Sequence, residues 1–215
     1  SGGLPLTTVG HAGIRVARAV SRAGSGAAVA VTGKKRAAAA VRCAELLNHR
    51  ESVRAVLLFG VAGAFPARHR QIEPAVGVSD LVVVREDMLG DEGVATPDGF
   101  LDLGTMQLGD CGPFVADPRL VREASERLSA PLVRGVTVGS CSGTDASSDR
   151  MCARTHADVE PMEGAAVAFV CRQRELPLLQ IRAVSNWTGD RGRGGWSLGD
   201  AVDAVQRAVR RLMQP

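Results

Sequence analysis

Glu160-Pro161-Met162-Glu163-Gly164-Ala165-Ala166-Val167-Ala168 and, one turn further on, Leu176-Pro177-Leu178-Leu179-Gln180-Ile181-Arg182-Ala183-Val184-Ser185-Asn186 form the stretch whose reading decides the fold. Proline costs nothing at the first position of a helix, where its missing N–H has no partner to lose, so Pro161 predicts a helix over residues 161–175. Glu163 then falls in the first turn, where the helix dipole stabilises an anion. The following apolar run has the length of a buried strand, and it carries Ser185 and Asn186 to its carboxyl end. A carboxylate and an amide are thereby expected to face one crevice.

Working outward, apolar and β-branched runs alternate with helical patterns along the rest of the chain. Residues 27–31, 55–59, 81–84, 133–139 and 178–184 read as strands, and residues 36–47, 118–128, 161–175 and 198–213 as helices. Continuous apolar strands separated by helices imply a largely parallel sheet covered on both faces, an α/β sandwich. With 215 residues the chain reads as one domain over residues 1–215, and Ser1-Gly2-Gly3 could be a vector remnant. Residues 85–118 are rich in Gly, Asp and Pro and suit a functional loop or a small hairpin excursion. In such sheets ligands bind at the carboxyl ends of strands. That rule predicts that Gly60-Val61-Ala62-Gly63-Ala64-Phe65, Glu86-Asp87-Met88, Ser140-Cys141-Ser142-Gly143-Thr144 and Ser185-Asn186 meet.

Composition excludes several classes. The longest apolar runs are too short for a membrane span, and the first residues lack the basic-then-apolar pattern of a signal peptide, so no membrane is expected. Cys43, Cys111, Cys141, Cys152 and Cys171 are odd in number and scattered, with no C-x-x-C, so reduced cytosolic thiols fit better than a disulfide framework or a zinc site. No metal and no cofactor is expected, and the location implied is cytoplasmic. Net charge is +3 and aromatics are 3% of the chain, which argues against nucleic acid.

Each remaining motif has a structural alternative. Gly60-Val61-Ala62-Gly63 allows close approach of a ligand to the backbone, but a tight strand-to-helix turn explains it equally, and it is not the G-x-G-x-x-G of a dinucleotide site. Gly33-Lys34-Lys35 lacks the rest of a nucleotide-triphosphate loop, and a solvated helix start is favoured over an anion site. Residues 137–145 (Thr-Val-Gly-Ser-Cys-Ser-Gly-Thr-Asp) offer short hydroxyl groups to a sugar or a base edge, or simply a capping turn before a helix. Cys141 has no histidine in a recognisable pairing context and is read as a small packing residue. The loop Thr188-Gly189-Asp190-Arg191-Gly192-Arg193-Gly194-Gly195-Trp196 either closes over an anionic group or is a surface loop anchored by Trp196.

Taken together, Met162-Glu163-Gly164-Ala165-Ala166, Arg182-Ala183-Val184-Ser185-Asn186 and Gly60-Val61-Ala62-Gly63 resemble the purine nucleoside phosphorylase and nucleosidase superfamily, from about Val29 onward. Gly90-Asp91-Glu92-Gly93-Val94, Thr96-Pro97-Asp98-Gly99-Phe100 and Cys141-Ser142-Gly143-Thr144 narrow that likeness to its futalosine hydrolase branch. The resemblance implies a three-layer α/β/α sandwich of the nucleoside phosphorylase type, with a central mixed, largely parallel sheet. It implies Met162 against the sugar face and Glu163 on the ribose hydroxyls. It further implies Asn186 on the purine, with Ser185 beside it, and Ala62 and Gly63 along the base. Adenosine-type nucleosidases of the superfamily carry aspartate where Asn186 stands. Asparagine presents an N–H donor to a 6-oxo group and a carbonyl to N7–H, which suits hypoxanthine.

The implied partner is a small purine nucleoside, the implied reaction hydrolysis of its N-glycosidic bond, and the implied assembly a homodimer or larger. A 6-oxopurine nucleoside phosphorylase or other purine nucleosidase, and a binding-only paralogue, are the alternatives. One departure bears on this choice: hydrolases of the superfamily hold the attacking water with a glutamate just after the first strand, and residues 4–31 contain neither Asp nor Glu. Asp87, Asp91, Glu92 and His11 are the substitutes the sequence offers, and the binding-only alternative draws its case from the same gap.

Overall fold

The computed structural model describes residues 35–48, 53–66, 76–190 and 196–214 in full, and the backbone of the strand segments 7–11, 14–18 and 27–31. The elements run β1 (Thr7–His11), β2 (Ile14–Arg18), β3 (Ala27–Val31), α1 (Arg36–Asn48), β4 (Val53–Ala64), β5 (Leu81–Leu89), β6 (Gly93–Thr96) and β7 (Gly99–Asp102). They continue with β8 (Phe114–Val115), α2 (Pro118–Leu128), β9 (Leu132–Thr137), α3 (Asp145–Thr155), β10 (Val159–Glu160), α4 (Gly164–Gln173), β11 (Leu178–Trp187) and α5 (Leu198–Leu212).

Seven strands form one mixed sheet in the order β10-β9-β5-β11-β4-β3, with β8 on the flank of β5. β3, β4 and β11 run parallel to one another. β5, β9 and β10 form a second parallel group that meets the first antiparallel at β11–β5. Because β10 also pairs antiparallel with β4, the strands β4, β11, β5, β9 and β10 close on themselves. Closure removes the exposed edges that an open sheet would have there.

Alternation along β4 explains the layers, since successive side chains point to opposite faces. Val56 and Leu58 pack with Ala39, Cys43 and Leu47 of α1 and Ala165, Ala168 and Cys171 of α4. Leu57 and Phe59 pack on the other side with Val121 and Ala124 of α2 and Ala201, Val205 and Val209 of α5. Inside the closed part, Ala62, Ala64, Val82, Val84, Val133, Val159 and Val184 form a third cluster of small residues. The helices thus cover both faces, as the alternating pattern predicts. Among the described residues no helix is long and apolar enough to cross a membrane, and no cluster of three metal-ligating side chains is found.

The four helices read from the sequence form close to where it places them, α3 is an addition to them, and two further differences are informative. Helix α4 begins at Gly164 rather than Pro161, and Glu163 is its N-cap residue. Val159 and Glu160 are taken up by pairing with β9 and β4, and the Pro161 carbonyl accepts from Val138 N–H, so the helix starts only after a bend at Met162 and Glu163. Likewise Gly60-Val61-Ala62-Gly63 is not a turn: β4 continues through it to Ala64, supported by β11 on one side and β10 on the other. Between β5 and β8, β6 and β7 pair as the hairpin excursion expected of residues 85–118. Thr144 caps α3 in a reciprocal capping box with Ser147, the structural role open to residues 137–145.

Candidate active site

Arg182 lies on β11 opposite Gly60 of β4 and is buried. A β-carbon on Gly60 would stand 2.6 Å from Arg182 Nη1, so a bare backbone at this register is what admits the guanidinium. Its Nη1 donates to Glu163 Oε2 at 3.0 Å and to the Val61 carbonyl at 3.3 Å. The other Glu163 oxygen accepts the backbone N–H of Lys35 at 3.2 Å. The helix-start anion site weighed for Gly33-Lys34-Lys35 is therefore used, at Lys35, by the protein's own carboxylate; Gly33 and Lys34 lie outside the described residues. Arg182 Nε and Nη2 are buried donors with no hydrogen-bond partner among the described residues. Buried donors of this kind are met by ligand or water when a site fills.

Asn186 sits four residues further along β11, level with a glycine three residues further along β4. A β-bulge at Ser185 shifts the register, so Val184 opposes Ala62 while Asn186 opposes Gly63. Ser185 Oγ donates to Asn186 Oδ1 at 2.8 Å, with the Ala62 carbonyl a longer alternative at 3.3 Å. Asn186 Nδ2 donates to the Trp187 carbonyl at 2.8 Å. A carbonyl can only accept, so these contacts fix which way the amide faces. Asn186 retains one N–H and one carbonyl lone pair for a ligand. Glu160 of β10 also opposes Gly63, which places Glu160, Gly63 and Asn186 in one row across three strands.

Glu160 is buried and holds the loop that follows β9. Its two oxygens accept the N–H of Ser142 at 2.8 Å and its hydroxyl at 2.6 Å. Burial raises the Glu160 carboxyl above its ordinary value, against the pull of both Ser142 contacts. The Ser142 carbonyl in turn accepts from Gly189 N–H, tying the loop after β11 to the loop after β9. Cys141, expected as a packing residue, is exposed; Ser142 beside it takes the buried place. Trp196 is 55% exposed, and Arg191 and Arg193 lie outside the described residues.

The structure brings Ser185, Asn186, Ala62 and Gly63 together at the ends of β4 and β11, and joins Glu163 to the same strands through Arg182. Met162, half-buried, precedes Glu163 in the segment between β10 and α4. Of the acids offered as water holders, Asp91 is bound by Arg36 and by the N–H groups of Gly139 and Ser140, and Glu92 faces Arg36 at 3.6 Å. Asp87 is fully enclosed: it accepts from Thr137 Oγ1 and Gln180 Nε2, each at 3.0 Å. Burial pushes its carboxyl up to about 6, against the lowering effect of Gln180, Arg182 and Thr137. The side chain of His11 lies outside the described residues. Sequence reasoning quoted Arg182 without a role and missed Glu160. A lone arginine inside an apolar strand run was the available signal, because a buried charge demands a partner.

Known proteins resemble this chain over most of its length. The futalosine hydrolase of Thermus thermophilus is 34% identical over 168 residues, covering 76% of this chain and 71% of its own length. That of Streptomyces coelicolor is 34% identical over 158 residues, covering 73% of this chain and 64% of its own. Among solved structures, native futalosine hydrolase of Helicobacter pylori superposes with a TM-score of 0.71 at 15% identity, over 98% of this chain and 88% of that one. A 5′-methylthioadenosine/S-adenosylhomocysteine nucleosidase of Colwellia psychrerythraea, solved with adenine, superposes with a TM-score of 0.68 at 22% identity, over 84% and 74%. These two share the fold. The sequence model of the phosphorylase superfamily spans residues 6–214, and the chain belongs to that family.

Proposed function

We propose that this chain hydrolyses the N-glycosidic bond of futalosine, releasing hypoxanthine and leaving dehypoxanthine futalosine, a step of menaquinone formation. The observation that carries the reading is the spacing of two polar groups along β4 and β11. Arg182, gripping Glu163, is level with Gly60, and Asn186 is level with Gly63. At about 3.3 Å per strand residue the two levels stand roughly 10 Å apart along β4, and because Gly60 and Gly63 fall on opposite faces of that strand, a nucleoside held at both would pass over its carboxyl end. The likeness to curated futalosine hydrolases at 34% identity selects the substrate.

In this reading the Glu163 carboxylate accepts the ribose hydroxyls and supports positive charge on the sugar as the C1′–N9 bond breaks. Met162 lies against the sugar face, and Ala62 and Gly63 line the base. The free N–H of Asn186 meets the 6-oxo group and its carbonyl meets N7–H of the departing purine, with Ser185 fixing the amide. The unpartnered Nε and Nη2 of Arg182 are suited to donate to a ribose oxygen or to the attacking water. Together with Glu163 these donors are placed to hold the attacking water. Positioning of this kind, rather than a separate strong base, suits a reaction whose leaving group departs ahead of attack.

We read the working form as a cytoplasmic homodimer or larger assembly acting on a small nucleoside. Exposed Val115 and Phe169, next to the edge-on contact of Phe114 with Phe169, support it, and sedimentation would test it. For the reaction, futalosine is incubated with the purified protein in phosphate-free buffer and hypoxanthine is measured. Phosphate-independent release is expected. Release only with phosphate would make the protein a phosphorylase, and hypoxanthine binding without release a non-catalytic nucleoside-binding protein.

A further inference from the structure

Asp87 is a fully enclosed carboxylate that the reaction above does not use. Its two oxygens reach toward the two segments that carry the ribose-side pair. On one side Thr137 Oγ1 donates to Asp87 and accepts the N–H of Ala165, two residues beyond Glu163. On the other side Gln180 donates to Asp87, and Gln180 shares a face of β11 with Arg182. Gly164 rests directly against it: a β-carbon there would fall 1.9 Å from Asp87 Oδ2. Asp87 points inward because of an extra residue at Arg85. The β5–β9 register shifts between Val84 and Glu86, so Asp87 opposes the bare Gly135.

We propose that Asp87 is a positioning residue for the hydrolysis: it seats the Glu163–Arg182 pair through both backbone segments and places a second negative charge behind the ribose end of the site. The inference rests on the hydrolase reading. With Asp87 ionised, two carboxylates face one guanidinium, and the surplus charge favours a cationic sugar. With Asp87 protonated the charges cancel. Arg182 from β11 is the charged group whose field reaches Asp87. β9 presents Thr137 and Gly135, and α4 presents Gly164 and Ala165, none of them titratable. A purely structural role would be filled as well by an uncharged side chain, since burying a carboxylate is unfavourable. Burial sets the ionisation of Asp87 near pH about 6, so turnover should show an acid limb there.

The test compares wild type, Asp87→Asn and Gln180→Met on futalosine from about pH 5 to about pH 9, with hypoxanthine binding measured alongside. Wild type is expected to lose kcat below pH about 6, where Asp87 protonates. Asp87→Asn should lower kcat about tenfold or more with KM changed less than about threefold, abolish that limb and leave hypoxanthine binding intact. Gln180→Met removes a donor from the carboxylate, so its limb should move to higher pH; this variant decides the matter if Asp87→Asn does not fold. Wild-type kcat and limb in Asp87→Asn, an unmoved limb in Gln180→Met, or loss of kcat matched by loss of hypoxanthine binding would each overturn the inference. A wild type that releases no hypoxanthine overturns the function as well, which separates the two failures.

Discussion

Replacing Gly164 by alanine sets a local preference against a tertiary obstacle. Gly164 is the first residue of α4 and its φ is not among the positive values, so alanine is favoured there by helix propensity, by about 1 kcal/mol. The added methyl, however, would lie 1.9 Å from Asp87 Oδ2, 2.5 Å from Gln180 Nε2 and 2.6 Å from Gln180 Oε1. Neither neighbour is a loose chain end, because Asp87 and Gln180 are buried and bonded to each other. Helix α4 cannot simply retreat, since Ala165 N–H is held by Thr137 and Ala165 and Ala168 pack in the core with residues of α1. Displacing Asp87 loses its hydrogen bond to Gln180, about 1.5–3 kcal/mol for a charged acceptor. Overpacking adds about 1–3 kcal/mol. The expected net loss is about 3 kcal/mol, read as a lower midpoint in urea unfolding followed by tryptophan fluorescence. In an Asp87→Ala background the obstructing oxygen is gone, and the loss should shrink by about 2 kcal/mol. A Gly164→Ala protein as stable as wild type, or a loss of the same size in both backgrounds, would refute the reasoning.

Asn186→Asp should reduce release of 6-oxopurines and move preference toward 6-aminopurines, measured as kcat/KM on futalosine against an aminopurine analogue; unchanged selectivity removes the base assignment. Glu163→Gln keeps the shape of the side chain and loses its charge, so turnover should fall by about two orders of magnitude, and because buried Arg182 loses its charged partner the melting temperature should fall by several degrees as well. Ser142→Ala deletes the hydroxyl on Glu160 Oε2 and should cost about 1.5–3 kcal/mol in denaturant unfolding. Asp87 also predicts how stability depends on pH. Its carboxyl is raised from 3.8 to about 6 by folding, so the native state holds the proton that the unfolded state releases in that interval. The contribution is present below pH about 4 and lost as pH rises through about 6, by roughly 3 kcal/mol. Urea titrations at pH about 4 and about 7 should show it as a difference between wild type and Asp87→Asn, and a pH-independent difference would contradict the raised value.

Several parts of this arrangement were written plainly in the sequence. Apolar runs fixed the cores of β4, β5, β9 and β11, and helix starts were placed to within a few residues at 118 and 161, while the cap at residue 144 was one of two readings left open. That Glu163 opens a helix and Asn186 lies at the end of a strand was legible because the period of each element is clear. Asp87 was not. Counting by twos from Val82 and Val84 points Glu86 inward and Asp87 outward, and the extra residue at Arg85 reverses that parity with no composition signal to announce it. The strand through Gly60-Val61-Ala62-Gly63 was hidden for a related reason. Small residues there suggest a turn, yet they are small because Arg182 crosses one face of the strand and Asn186 and Thr188 crowd the other. Glu160 could not be read at all from local pattern, because its role depends on a two-residue strand that exists only once β4 and β9 have come together.

That two-residue strand has a consequence for how the protein can diversify. From Glu160, which grips the loop bearing Ser142, to Glu163, which meets Arg182, the chain covers only three residues. It works as a ruler between the two halves of the pocket. Adding or removing one residue there would slide Glu163 off Arg182 or pull Ser142 out of its seat, whatever residue were chosen. On the proposed reading, new substrate preferences are open to point changes along the rim, such as at residue 186, and to length changes in the outer loops, while the interval from residue 160 to residue 163 is held to one length.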